Sequence, residues 1–188
     1  MAESPEQVLS DAKQAMEKGL DALQRNFGRV RTGRASLSLL DGVRVEYYGT
    51  PTPLPQVASL SIPEPRLIAV QPWDKTLIPA IEKAILQSEM DLNPSNDGAL
   101  VRIPIPKLTE ERRKELVKVA KGMTEDARVA IRNARRDANS ELDQLQKDKV
   151  ISEDDLRRHK DDVQKLTDQY VKKAEEISEA KEAEILEV

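Results

Sequence analysis

Residues 109–147 read TEERRKELVKVAKGMTEDARVAIRNARRDANSELDQLQK, and no other segment of the chain constrains the architecture as tightly. Apolar residues recur along it at intervals of three and four, which is the spacing of one face of an α-helix. Thr109 is a favourable N-cap residue, and Glu110 and Glu111 suit the first turn. We therefore predict a single helix of roughly 40 residues, about 60 Å long. Its apolar stripe consists of Leu116, Ala120, Met123, Ala127, Ile131, Ala134, Ala138, Leu142 and Leu145.

Two further segments carry the same helical spacing. The first predicts a helix over about residues 5–30, with Ser4 as its cap. The second opens at Ser152, where Asp155 stands at the carboxylate position of a capping box. Their stripes are Val8, Ala12, Met16, Leu20, Leu23, Phe27 and Val30, and Leu156, Val163, Leu166, Tyr170, Ala174 and Ile177. A helix cannot bury its own apolar stripe, so the three helices must pack their stripes against one another. We therefore predict an elongated three-helix bundle.

The middle of the chain has a different composition. Ten of the eleven prolines lie between Gly33 and Pro106. Alternating and β-branched runs predict strands at 43–48, 57–62, 66–70 and 100–105, and apolar spacing predicts a helix at 77–88. The segments 49–53 and 93–98 are typical of a turn and a loop, and Trp73 is expected to anchor the packing. The prediction is an α+β protein whose bundle, residues 1–30 and 106–188, carries an inserted β/α/β domain at 31–105.

Two short connections join the predicted insertion to the bundle. Paired connections of this kind predict a hinge, and glycine permits a bend in the chain. The predicted hinge residues are Arg31, Thr32, Gly33 and Arg34 in the first connection, and Pro104, Ile105 and Pro106 in the second.

Charge is unevenly distributed along the chain. The formal net charge is -4, which by itself argues against nucleic-acid binding. Residues 112–136, however, contain nine Lys or Arg and three Asp or Glu, whereas residues 152–188 contain seven basic and twelve acidic residues. The sequence therefore predicts one strongly basic helix within an otherwise acidic protein.

Five basic residues of the long helix fall on one side of it: Lys114, Lys121, Arg128 and Arg135 recur every seven residues, and Arg132 lies beside them. Their heptad spacing places them in a narrow arc about 120° from the apolar stripe, where the bundle leaves them in water. Lysine and arginine in such a row suit the phosphates of structured RNA, and the shortage of aromatic residues disfavours stacking on single strands. An ordinary solvated helix face is the alternative. The candidate RNA-binding residues are Lys114, Lys121, Arg128, Arg132, Arg135 and Arg136, with Arg29 and Arg31 from a second cluster near the end of the first helix.

Composition excludes several classes of site. The chain has no cysteine, so disulfides, thiolate metal ligands and cysteine nucleophiles are absent. The single histidine, His159, is in phase with the last apolar stripe and has no nucleophile in view, so we predict no catalytic residue, metal or cofactor. No apolar run approaches the roughly 18 residues of a spanning helix, and the acidic start resembles neither a signal nor a transit peptide. We expect a cytoplasmic monomer that does not bind membranes.

Seven short segments resemble the signature of the ribosome recycling factor family. They follow one another in the family's order and reach from the first helix into the last. The segments are RTGRA (31–35), VEYYGTPTPL (45–54), LNP (92–94), LTEERR (108–113), AIRNARR (130–136), ISED (151–154) and DVQKLTD (162–168).

The resemblance implies both a shape and a function. It implies an L-shaped protein with a hinged β/α/β domain, which binds the 50S subunit of the post-termination 70S ribosome with its bundle on 23S ribosomal RNA. Elongation factor G, using GTP, would then act with it to separate the subunits and release mRNA and tRNA. An arginine that is critical in the family corresponds to Arg132, and Ile131 stands where the family has valine.

Two rival functions remain open on the residues alone. A protein-interaction scaffold would recruit another helix, and its affinity would be insensitive to salt and to the basic arc. A hydrolase in the inserted domain would require a convergent polar pocket with a nucleophile and a base.

Overall fold

The computed structural model describes residues 4–187. Within that range the α-helices are α1 (Pro5–Gly28), α2 (Ile78–Leu86), α3 (Glu110–Lys147) and α4 (Glu153–Leu186). The three predicted caps are present. The amides of Gln7, Arg112 and Asp155 donate to the hydroxyl oxygens of Ser4, Thr109 and Ser152 at 3.2, 3.1 and 3.1 Å. The Asp155 carboxylate completes a capping box by accepting from the Ser152 amide.

The chain forms two compact units. The larger unit contains α1 up to Phe27 together with the chain from Glu115 onward, and the smaller unit is Gly28–Lys114. The smaller unit is thus longer at both ends than the predicted 31–105, because it also takes in the last residue of α1 and the first turn of α3.

The larger unit is a bundle of α1, α3 and α4. Val8 from α1, Leu142 from α3 and Val163 from α4 belong to one cluster of buried apolar side chains. The predicted stripe of α3 is buried with one exception: Thr124 is buried and the neighbouring Met123 only half-buried. Thr124 faces the partner helix because it continues the spacing of four and three residues from Ala120 to Ala127.

The smaller unit contains two antiparallel sheets and α2. The strands β1 (Arg44–Tyr47) and β2 (Thr50–Pro53) form a hairpin. A four-stranded sheet has the order β3-β4-β6-β5, where these strands are β3 (Ala58–Glu64), β4 (Leu67–Pro72), β5 (Ser95–Asn96) and β6 (Val101–Pro104). A core of Ile, Leu and Val side chains, among them Ile81, Ile103 and Val45, lies between these elements. The predicted α+β class, a helical bundle plus a small sheet unit, is therefore confirmed.

Three details of the smaller unit differ from the sequence-based prediction. Residues 50–53 form β2 instead of a turn; the turn is Tyr48 and Gly49, both with positive φ, as in a two-residue hairpin. The prolines of β2 are tolerated because each strand of a two-stranded sheet is an edge strand. Two residues of the predicted loop at 93–98 form the short strand β5. Trp73 is 67% exposed, so its predicted role as a packing anchor is wrong.

Candidate RNA-binding face

Four basic residues of α3 lie on the side of the helix that the bundle core leaves open. We call Lys121, Arg128, Arg132 and Arg135 the basic face. Each directly follows a buried residue of α3, which places it about 100° around the helix from the packed stripe. The side chains of Arg128 and Arg132 are 32% and 48% exposed, and Lys121 is exposed. Arg136, also exposed, flanks this face.

A carboxylate occupies the centre of the basic face. The side chain of Glu125 forms ion pairs with Arg128, at 3.2 Å between Oε2 and Nη1, and with Arg132. The hydrogen bond from Arg128, reinforced by that from Arg132, holds the pKa of the Glu125 carboxyl below its usual range. Glu125 is therefore charged at neutral pH and neutralises part of the face. Sequence reasoning missed this residue, although its spacing of three and seven from the two arginines was visible.

Helix α4 supplies two further partners. Arg128 Nη2 lies 3.5 Å from Oε1 of Glu175, and Arg135 Nη1 donates to Oε1 of Gln164 at 3.2 Å. These contacts hold the guanidinium groups along the junction of α3 and α4. They were not predictable from one helix alone, because the register between the helices decides which residues of α4 come near.

A polar groove continues the basic face toward the C-terminal half of α3. Its lining includes Arg132, Arg135, Arg136 and Asn139 from α3 and Gln164 from α4. The Asn139 side-chain oxygen is buried and accepts no hydrogen bond from the described residues. Guanidinium groups around such a groove are suited to phosphate oxygens, which accept bidentate hydrogen bonds from arginine.

The remaining predicted RNA-binding residues belong to the smaller unit. Lys114 forms an exposed ion pair with Glu110, one turn earlier in α3, at 3.0 Å. Arg29 is exposed just after α1. Arg31 is half-buried, and its Nη1 donates to the carbonyl oxygen of Met90 at 3.4 Å. The structure thus groups four of the eight predicted residues on one face, with Arg136 beside them, and assigns these three to the other unit.

The predicted hinge residues all lie within the smaller unit. Next to the first connection, the Ala35 amide donates to the Pro65 carbonyl at 2.7 Å, and the Thr32 side chain is buried. In the second, Pro104 ends β6, and the Ile105 amide donates to the Arg66 carbonyl at 2.8 Å. Gly33 has a φ of +78°, and a side chain there would contact Leu108. Arg34 and Pro106 are exposed.

Residues 4–187 contain no cluster of three or more His, Asp or Glu side chains that would hold a metal ion. His159 is half-buried, and its Nδ1 lies 3.9 Å from Oδ2 of Asp162. In the same described range no helix is long and apolar enough to cross a membrane.

Comparison with known proteins agrees with this fold. The sequence pattern of the family described as "Ribosome recycling factor" matches residues 23–186. The chain is 57% identical over 183 residues to the ribosome-recycling factor of Nitratidesulfovibrio vulgaris (strain DP4), which covers 97% of this chain and 98% of that protein.

Two solved structures have the same fold. A solution structure of the ribosome recycling factor is 41% identical, with a TM-score of 0.80 over the whole of both chains. The second is 44% identical, with a TM-score of 0.68 over 98% of this chain and 100% of the other. It is described as models for the T. thermophilus ribosome recycling factor and the E. coli elongation factor G bound to the E. coli post-termination complex.

A helical bundle with a basic helix face and an inserted sheet unit places the protein among the translation factors that these relatives represent. The match of the family pattern spans most of the chain, and the identity to curated relatives exceeds half. The chain belongs to the ribosome recycling factor family.

Proposed function

We propose that this protein binds the post-termination 70S ribosome through its 50S subunit and, with elongation factor G and GTP, promotes subunit separation and release of mRNA and tRNA. In this role it is a binding protein of the cytoplasm that acts as a monomer, without catalytic residues or cofactors of its own. The larger unit is the RNA-binding body, and the smaller unit moves about the two connections during the reaction.

The observation that carries the proposal is the basic face on a chain of this family. Arg128, Arg132 and Arg135 offer planar groups of hydrogen-bond donors at intervals of four and three residues along α3. Consecutive phosphates of an RNA backbone are the natural acceptors for such a row. We assign the largest share of the affinity for RNA to Arg132. It is the more exposed of the two arginines that form ion pairs with Glu125, and it also lines the polar groove.

Co-sedimentation with 70S ribosomes across a salt series tests this proposal. We compare the wild type with Arg132→Gln, which removes the charge and keeps a good helix former. The control is Lys13→Gln, since the exposed Lys13 lies on α1, which contributes no residue to the basic face or to the polar groove. We expect saturable wild-type binding that weakens with salt, roughly tenfold or greater loss in Arg132→Gln, and little change in the control.

Two results would contradict the proposal. Salt-insensitive binding that is equal in both variants would favour the scaffold function, in which a protein surface is recognised. Absence of binding by a well-folded wild type at low salt would contradict ribosome recognition altogether. A variant that binds normally but fails to separate subunits with elongation factor G would place the role of Arg132 after binding.

A further inference from the structure

Glu125 lies in the same arc as the residues of the basic face. It precedes Arg132 by seven residues, so two helical turns place the two side chains within about 20° of one line along α3. Arg128 stands between them, three residues from Glu125 and four from Arg132. The acidic side chain of Glu125 therefore contacts two arginines of the basic face directly.

The contacts of Glu125 use the hydrogen-bond donors that a phosphate would use. Its Oε1 accepts from Nη2 of Arg132, and its Oε2 accepts from Nη1 of Arg128 at 3.2 Å. Carboxylate and phosphate oxygens are recognised by the same planar N–H groups of a guanidinium. An RNA phosphate that takes these donors must therefore displace the carboxylate from them.

The ion pairs of Glu125 are open to solvent. The side chains of Glu125, Arg132 and Arg128 are 52%, 48% and 32% exposed. Solvent-exposed ion pairs contribute little free energy, because water and salt screen them. A phosphate can therefore replace the carboxylate without a large penalty, which suits a contact that forms and breaks in each binding event.

We propose that Glu125 is an internal competitor of the RNA phosphates: it occupies Arg128 and Arg132 in the free protein and limits how tightly the basic face holds RNA. This inference rests on the proposed function, since it assigns to Glu125 the control of that same site. The carboxylate remains beside the bound phosphates and repels them, so it lowers affinity and speeds dissociation. It also lowers the effective positive charge of the face and makes binding less dependent on salt.

Equilibrium and dissociation measurements with 70S ribosomes over a salt series test the inference. Glu125→Gln removes the charge, and Glu125→Ala also removes the hydrogen-bond acceptor. The matched control is Asp126→Asn, because the exposed Asp126 carries the same charge about 100° away on the same helix. We expect both Glu125 variants to bind roughly two- to fivefold more tightly and to dissociate more slowly. The slope of log affinity against log salt should become steeper by about one unit.

The possible outcomes separate the inference from the proposed function. If Arg132→Gln loses binding but both Glu125 variants bind as the wild type does, or more weakly, the basic face stands and competition by Glu125 is refuted. Weaker binding would mean that Glu125 instead orients the two arginines for RNA. If Asp126→Asn tightens binding as much as Glu125→Gln, net charge and not the local ion pair is responsible, and the inference fails. If Arg132→Gln has no effect, the proposed site itself is wrong.

Discussion

The two units of the chain are built on cores of different character. The smaller unit encloses a cluster of branched apolar side chains, all Leu, Ile or Val apart from Ala58. In the larger unit, alanine is prominent among the buried residues of the helices, and Thr124, Thr167 and Ser178 are buried with it. The Thr124 hydroxyl oxygen lies 2.9 Å from the Ser178 hydroxyl oxygen across α3 and α4.

The difference follows from the geometry of the elements. Small side chains let helices approach closely along their length, and a buried hydroxyl is tolerated where a neighbouring helix offers a hydrogen-bond partner. A short sheet covered by one helix must instead fill its interior with large side chains, because few elements are available to exclude water. The smaller unit is therefore expected to depend more on each individual core residue.

Truncation of a core isoleucine in each unit tests this expectation and should give the largest effects. Ile103 in β6 and Ile131 in α3 are both fully buried. We expect Ile103→Ala to cost about 3–4 kcal/mol and Ile131→Ala about 2–3 kcal/mol, since the long helices have more remaining contacts to stabilise the bundle. Hydrogen exchange resolved by segment should show the loss of protection in the unit that carries the substitution.

The matched pair is its own control, since the same methyl and methylene groups are removed in both units. Equal costs would show that the two cores are equally sensitive. Loss of protection throughout both units in either variant would show that they unfold as one cooperative body.

The helices were predictable because their signals are local. Apolar spacing and the caps Ser4, Thr109 and Ser152 lie within a few residues of the structure that they specify. Thr124 was missed because hydrophobicity favoured Met123, although helical spacing required the next position. The positions of the basic residues on one side of α3 also follow from local helical spacing. Their contact with Glu175 depends instead on the register between α3 and α4.

The smaller unit was less predictable because its signals depend on pairing. Pro51 and Pro53 indicate a turn in isolation, and only the partner strand β1 makes an edge strand of them. Tyr48 at a φ of 48° gives no turn signal of the kind that Asn or Gly gives. Trp73 was predicted to be a packing anchor because it lies next to the helix of the inserted domain, yet it follows the end of β4 and faces solvent.

The two units each contain a glycine that tests backbone conformation. Gly33, in the smaller unit, has a φ of +78°, whereas Gly122 lies inside α3 with nothing within 4 Å of a substituted Cβ atom. We expect Gly33→Ala to destabilise the smaller unit by about 1 kcal/mol and Gly122→Ala to stabilise the bundle by about 0.5–1 kcal/mol. Denaturant unfolding of both variants shows whether each substitution lowers or raises the free energy of unfolding. A stabilising Gly33→Ala would show that the left-handed conformation is not maintained in solution.

The smallest expected effects concern pH, and they arise from one capping aspartate in each unit. Hydrogen bonds from the Ser152 hydroxyl and amide lower the pKa of the Asp155 carboxyl at the start of α4, and those from the Thr76 hydroxyl and amide lower the pKa of Asp74. A carboxyl whose pKa is lower in the folded than in the unfolded state stabilises the fold above the unfolded pKa, and this contribution is lost as pH falls through the folded pKa.

We therefore expect wild-type stability to fall as pH drops through the ordinary aspartate pKa of about 3.9 toward the lower folded pKa, and to fall less in Asp155→Asn and Asp74→Asn, which have no proton to bind there. Denaturant midpoints at several pH values, with segment-resolved hydrogen exchange, measure the effect in each unit. Asp155 lies in the first turn of a helix of 34 residues, whereas Asp74 caps a turn of three. The loss at Asp155 should therefore extend along α4, and the loss at Asp74 should stay local. An unchanged pH dependence in Asp155→Asn would mean that α4 is held by its packing against α1 and α3 and not by its cap.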